Sequence, residues 1–316
     1  MSSAVYFFYM FDLAIIGGGP AGSAAAVYAA RKLLKSVLIT DAFGGQSIVS
    51  TEIQNWIGTP AISGEDLAKS LKNHVLAYAG DVVEVAEGQK VTAVTKNGDH
   101  FTVKTDKEKT FEAKTVLVAT GGERRKLNAP GAAEFDNKGL TYCASCDGPL
   151  FSGQDTVVIG GGNAGFETAA QLLAYTKSVT LLQRGSEFAA DPSTVKKILE
   201  HPNMRAILNA ETTAVLGDKF VTGITYKDAK TNTEETLKVA GIFVEIGMIP
   251  STSFVADLVE LDSIKRVVID PTNQRTSMTG IWAAGDCTNV LYHQNNIAAG
   301  DAVRALEDIY LHVSTN

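Results

Sequence analysis

Short apolar runs that end in clusters of glycine set the rhythm of this 316-residue chain. Residues 12–16 (Asp-Leu-Ala-Ile-Ile) are too short and too uniformly apolar for an amphipathic helix and read as a buried strand. Gly17, Gly18 and Gly19 follow at once, then Pro20, Ala21 and Gly22, then an alanine-rich stretch to Arg31 that reads as a helix. The next apolar run, 37–40, reads as a strand closed by Asp41. Strand, glycine turn, helix and strand in this order make a βαβ unit with G-x-G-x-x-G at its first turn.

The pattern recurs. Residues 156–159 (Thr-Val-Val-Ile) lead into Gly160, Gly161, Gly162, Asn163, Ala164 and Gly165, then a helix to about Tyr175 and a strand over 179–182. Gln183 stands where the first unit has Asp41. One such loop is weak evidence; two in the same strand–turn–helix context are strong. The glycines divide the work among a tight turn, close approach of a pyrophosphate, and packing of helix on strand. The helix N-terminus adds free N–H groups and the positive end of its dipole. Asp41 can accept from a ribose hydroxyl.

Two more apolar runs end in turns: 116–119 before Thr120-Gly121, and 281–284 before Gly285-Asp286, the latter followed by a helical stretch with small residues at 298–300. We therefore expect an α/β fold of two Rossmann-like dinucleotide-binding domains, the second inserted into the first. Residues 1–120 and 250–316 form the split domain, and residues 121–249 the inserted one.

A hydrophobic content of 45% and a charged content of 20% fit a soluble enzyme. A net charge of −7 argues against nucleic acid as the main partner, since phosphate backbones call for a basic face. The apolar, aromatic stretch 5–11 lacks a basic leading region and a small-residue cleavage site, and Asp12 interrupts it. It reads as a short extension feeding the first strand, with Met1 or Met10 as the true start. No run approaches the roughly 18 apolar residues of a membrane span, so no membrane partner is expected and the chain is placed in the cytoplasm.

Of 3 cysteines, Cys143 and Cys146 form a C-x-x-C pair followed directly by Asp147. In a cysteine-poor chain such a pair points to reversible redox chemistry, because a dithiol can take up two electrons and pass them on by thiol exchange. A carboxylate beside a thiol raises its pKa, so Asp147 needs a functional reason, and general acid–base duty supplies one. Zinc would need two more ligands; Cys287 and the 5 histidines show no ligand spacing, so no metal is expected. Cys287 lies in an apolar context and reads as a buried, inert thiol.

Taken together, residues 17–22, Gly44-Gly45-Gln46, Thr120-Gly121, residues 143–147 and Gly285-Asp286 resemble the low-molecular-weight thioredoxin reductases over about residues 11–311. Residues 143–151 and 240–247 are similar to the reductase core of the alkyl hydroperoxide reductase flavoprotein, without its N-terminal thioredoxin-like domain. The resemblance implies a pyridine nucleotide-disulfide oxidoreductase of class II, with FAD in the split domain and a nicotinamide cofactor in the inserted one. It implies a homodimer, a rotation between domains, and a separate partner: thioredoxin or a thioredoxin-like small dithiol protein. It makes Cys146 the sulfur nearer the flavin and Asp147 the acid that manages a proton. Gly45, Gln46, Asn55, Asp286 and Gln294 match flavin contacts, and His293 stands where the family often has Arg or Lys. Trp56, Tyr142 and Tyr292 line the flavin or belong to the core.

The electron donor is where the chain departs from the family. NADPH-linked members carry arginines after the second strand of the inserted domain, where they hold the 2′-phosphate. Here Gln183 and Arg184 are followed by Gly185, Glu187 and Ala189, so one Arg survives beside an added negative charge. Two lost contacts of about 1.5–3 kcal/mol each disfavour NADPH. NADH is favoured, although Gln183 offers a ribose only a neutral partner. A ferredoxin-linked or other donor, or a dithiol oxidase, stands as the alternative.

Overall fold

The structure, a computed structural model, describes residues 10–50 and 52–315. The extension expected before Met10 lies outside them. The chain divides into two compact units: Met1–Val49, Trp56–Glu123 and Ile249–Asn316 form one, and Ser50–Asn55 with Arg124–Met248 the other.

The first unit opens with β1 (Met10–Gly18), α1 (Pro20–Arg31), β2 (Ser36–Phe43), α2 (Gly64–Ala79) and β3 (Val83–Glu87). β4 (Val91–Asn97), β5 (His100–Thr105) and β6 (Thr110–Val118) follow. The two-residue alternation of a strand decides the layering. Leu13 and Ile15 enter the core under α1, while Ala14 and Ile16 enter the core on the opposite face. Each fully buried Leu or Ile contributes about 1.5–3 kcal/mol. The alanines of α1 (Ala25, Ala26, Ala29, Ala30) are buried and let the helix axis approach closely.

β7 (Gly122–Arg124) leads from the first unit into the second, which carries β8 (Leu140–Thr141), α3 (Ala144–Asp147), β9 (Asp155–Ile159), α4 (Asn163–Leu172), β10 (Ser178–Gln183) and α5 (Pro192–Leu199). Then come β11 (Met204–Leu208), β12 (Ala210–Gly217), β13 (Val221–Asp228), β14 (Glu234–Lys238) and β15 (Gly241–Val244), and β16 (Met248–Pro250) leads back into the first unit. A parallel sheet of order β11-β10-β9-β15-β8 forms its centre. The antiparallel meander β12-β13-β14 shares one core with Val157, Ile159 and Ile242 of that sheet, and α4 packs on the other face against Val158, Leu181 and Phe243. The helix expected to reach Tyr175 stops at Leu172. Tyr175 N and Thr176 N both donate to the Leu172 carbonyl, which tightens the end into turns.

The chain then completes the first unit with β17 (Ile281–Ala283) and α6 (Asn295–Thr315). The sheet runs β3-β2-β1-β6-β5-β4, and β6 serves two neighbours along one edge. Its first half pairs antiparallel with β5 and its second half pairs parallel with β17. No helix among the described residues is long and apolar enough to cross a membrane.

Candidate active site

In each unit a glycine-led helix begins at the carboxyl end of a central parallel strand. α2 and α5 show how helix starts in this chain are ordinarily satisfied: Ser63 Oγ accepts from Asp66 N, and Asp191 accepts from Ser193 N and Thr194 N. α1 and α4 begin instead at Gly19 and Gly162, with no side-chain cap. Their first-turn N–H groups are left for another acceptor.

The glycines sort by what a side chain would meet. A Cβ on Gly17 would lie 2.3 Å from the Ala119 carbonyl oxygen, and one on Gly22 would lie 1.8 Å from that of Gly17. In the second loop, a Cβ on Gly160 would lie 2.1 Å from the Glu245 carbonyl oxygen and one on Gly165 1.9 Å from that of Gly160. Packing alone excludes side chains there. The middle glycines differ. A Cβ on Gly19 meets nothing nearer than Gly45 Cα at 3.8 Å, and one on Gly162 meets nothing within 4 Å. Neither residue has positive φ. Among the described residues nothing requires glycine at 19 or 162, and the space beside each backbone is open to the close approach of a ligand.

The other expected contacts of the first unit gather near this loop or at the start of α6. Asp41 is exposed on β2, with Oδ2 3.3 Å from Lys90 Nζ. Gly45 and Gln46 open a 3-10 turn, and a Cβ on Gly45 would approach Gly19 Cα at 3.4 Å. Thr120 Oγ1 donates to the Ser251 carbonyl, and the Gly121 carbonyl accepts from Ser251 N. Gly285 adopts φ +76° just after β17, and Asp286 is half-buried. His293 and Gln294 precede α6; Nε2 of His293 is buried, and the Gln294 carbonyl accepts from Ala298 N. Tyr292 is largely exposed and Trp56 half-buried. Asn55 groups by its contacts with the second unit.

In the second unit Asn163 and Ala164 are exposed on the first turn of α4, and Asn163 Oδ1 accepts from Asp191 N. Gln183 is tied at both ends: Oε1 accepts from Gly161 N at 3.1 Å and Nε2 donates to the Glu187 carbonyl at 2.9 Å. Arg184 is exposed.

Cys143 and Cys146 are joined in a disulfide across the N-terminal turn of α3, with Cα atoms 5.3 Å apart. Asp147 closes the same helix. Burial pushes its carboxyl above the ordinary carboxylate value, and a hydrogen bond from Thr141 Oγ1 partly offsets that. Between the cysteines, Ser145 Oγ donates to Gln171 Oε1 of α4 at 3.0 Å. Cys287 is fully buried, and burial raises its thiol to about 11, which keeps it protonated and unreactive.

Two residues of the site escape a reading of the sequence. Thr141 is one, a hydroxyl on a two-residue edge strand with nothing in its neighbours to single it out. Glu245 is the other. Its side chain is 8% exposed and bound by Arg124 Nη1 at 3.0 Å and Thr168 Oγ1 at 2.9 Å, directly behind Gly160. Burial raises its carboxyl above the ordinary value against the pull of Arg124. A lone carboxylate in the apolar run 241–247 is the signal the sequence offers for it.

A glycine-led, uncapped helix in each of two units, with a C-x-x-C disulfide and a half-buried acid beside it, is the equipment of a flavoprotein disulfide oxidoreductase. The pyridine nucleotide-disulphide oxidoreductase family model matches residues 11–302, and the chain belongs to that family. Membership implies FAD and a nicotinamide cofactor. The chain is 39% identical over 295 residues to a protein named NADH dehydrogenase from Bacillus subtilis, covering 93% of this chain and 57% of that one. It is 40% identical over 296 residues to an alkyl hydroperoxide reductase protein from Escherichia coli, covering 93% and 57%. It thus spans little more than half the length of these curated relatives. Thioredoxin reductase from Streptococcus pyogenes superposes with a TM-score of 0.89 at 32% identity, over 98% of this chain and 100% of that one.

Proposed function

We propose that this chain passes electrons from NADH, in preference to NADPH, through FAD and the Cys143–Cys146 pair to thioredoxin or a thioredoxin-like small disulfide protein. The observation that carries the reading is the pair of middle glycines, Gly19 and Gly162, which no contact among the described residues requires. FAD, when bound, supplies two-electron exchange between a nicotinamide and a disulfide. In this reading the first-turn N–H groups at Gly19, Ala21 and Gly22, with Pro20 between them, face its pyrophosphate, and Gly17 makes the turn. Asp41 accepts from its adenosine ribose. Gly45, Gln46, Asn55, Thr120, Gly121, Gly285 and Asp286 hold its remaining length, and His293 and Gln294 its flavin edge. Gly160, Gly162, Asn163, Ala164 and Gly165 serve the nicotinamide cofactor in the same way.

The donor preference rests on the end of β10. Arg184 is the single cation in a segment that continues through Gly185, Glu187 and Ala189. A 2′-phosphate there would meet one guanidinium and one carboxylate, whereas a 2′-hydroxyl meets no such penalty. The name carried by the Bacillus subtilis relative is in keeping with this. Cys143 and Cys146 alternate between disulfide and dithiol, and Asp147 exchanges one of the two protons that accompany each change. The same reading puts the protein in a reducing cytoplasm, as a homodimer.

Anaerobic titration of the flavin tests it. NADH should bleach the bound flavin at far lower concentration than NADPH. Bleaching by neither nucleotide would move the chain to a ferredoxin-linked reductase or a dithiol oxidase.

A further inference from the structure

The disulfide's acid is held by a residue outside the C-x-x-C-D motif. Thr141 is buried at 6% exposure on β8. Its backbone is fixed there by pairing with β15, where it sits in register with Phe243, itself fully buried. From this fixed point its hydroxyl makes two contacts at once. Oγ1 accepts from Cys143 N at 3.3 Å and donates to Asp147 Oδ2. One hydroxyl therefore links the first cysteine's backbone to the carboxyl.

The surroundings leave that hydroxyl little competition. β8 and the 3-10 turn Gly148–Phe151 carry no titratable side chain, and α4 carries only Glu167, which is exposed. The phenol ring of Tyr175 lies beside Gly148, where a Cβ would stand 3.7 Å from it, and Tyr142 directly precedes Cys143. Tyr142 is engaged elsewhere: its hydroxyl accepts from Leu127 N, and Lys126 Nζ lies 4.2 Å from its ring centroid. Burial pushes the Asp147 carboxyl up, and the Thr141 hydroxyl pulls it back down.

We propose that Thr141 is a positioning residue for Asp147: its hydroxyl orients the carboxyl toward the cysteine pair and stabilises the carboxylate left after the proton is given up. The inference deepens the disulfide-reductase reading above and rests on it. Opening the disulfide takes two electrons, supplied by reduced flavin. It breaks the Cys143 Sγ–Cys146 Sγ bond into two thiolates. Protonated Asp147 gives its proton to one of them, which becomes a thiol, and the carboxylate that remains accepts the Thr141 O–H. Without that hydroxyl the same burial disfavours the carboxylate, and Asp147 releases its proton less readily.

The test reads the dithiol directly. The purified holoenzyme is reduced with dithiothreitol, and the rate of alkylation by iodoacetamide is followed across pH. Ionisation of Asp147 raises the pKa of the adjacent thiol, so the wild-type profile carries an inflection that Asp147→Asn abolishes. Thr141→Val should move that inflection up by about one pH unit, the size expected for losing one hydrogen bond to a charged group. Thr141→Ser should restore it. In the Asp147→Asn background, Thr141→Val should change nothing. Should Thr141→Val fail to fold, Thr141→Ala is read in its place.

An inflection unmoved by loss of the hydroxyl would overturn the proposal. So would a shift that Ser does not reverse, or one that persists with Asn at 147. None of these readings needs a nicotinamide. Failure of the donor assignment in the flavin titration is thus distinguishable from failure here.

Discussion

The amide nitrogen of Gly161 lies 3.1 Å from Oε1 of Gln183, so the last residue of β10 is fastened to the glycine loop that precedes α4. The other end of the carboxamide holds the Glu187 carbonyl. The segment after β10 is thereby folded back on the loop, and its side chains define the local charge. Gly185 lies so close that a Cβ would stand 3.2 Å from Gln183 Nε2, whereas Ala189 is exposed. Ala189→Arg is therefore the cleaner way to add a cation. It should lower KM for NADPH about tenfold or more, the yield of one charge-assisted contact of about 1.5–3 kcal/mol, and leave KM for NADH nearly unchanged. Steady-state kinetics with both nucleotides checks this.

The middle glycines predict a separation of folding from cofactor binding. Gly19→Ala should fold with unchanged thermal stability of the apoprotein and bind little FAD, read from visible absorbance after purification. Gly162→Ala should keep its flavin and lose nucleotide-driven bleaching. Gly22→Ala and Gly165→Ala should not fold at all, because their Cβ atoms would sit 1.8 and 1.9 Å from a carbonyl oxygen.

Asp147→Asn should trade activity for stability. Burial raises this carboxyl above 3.8 in the folded state, so its contribution to stability is fully present below 3.8 and is lost as pH rises through the raised value. The substitution should raise Tm near neutral pH and leave it unchanged in acid. Disulfide turnover should fall about a hundredfold or more as acid–base assistance is removed. A Tm that drops at neutral pH would count against the assignment.

Arg124→Ala should leave Glu245 buried without its cation, at a cost of about 1–3 kcal/mol in denaturant unfolding. Glu245 is raised above 4.5 by burial, so it too stabilises the fold most when protonated and loses that contribution as pH rises through the raised value. The cost of Arg124→Ala should therefore be larger at about pH 8 than at about pH 4, a difference that paired unfolding curves would show.

The parts of the fold carried by local pattern were legible in the sequence. The runs 12–16 and 156–159, the glycine turns and the helix from Pro20 to Arg31 all follow from short-range periodicity and backbone sterics. The family-level fold followed from their order. The end of α4 did not, because Leu173, Ala174 and Tyr175 continue the apolar rhythm while the amides of Ala174 and Tyr175 turn back onto 171 and 172. Within the site, the cysteines and Asp147 stand together in the chain and could be read directly. Thr141 could not, since its contact with Asp147 depends on the edge strand β8 being placed by β15, a partner about a hundred residues away. Glu245 was not singled out either, because Arg124 and Thr168 come to it only through folding.

The shared edge of β6 governs the order in which the molecule can be made. Emerging from a ribosome, β1, β2, β3, β5 and β6 can pair early, but the second half of β6, paired with β1 on one side, must wait on its other side for β17, which begins at Ile281. Meanwhile all of Arg124–Met248, a contiguous stretch, has become available to fold. Val116, Leu117 and Val118, fully buried in the finished protein, form an open strand edge during that interval. Nascent chains arrested before Ile281 should therefore protect Arg124–Met248 from protease while leaving the first unit cleavable.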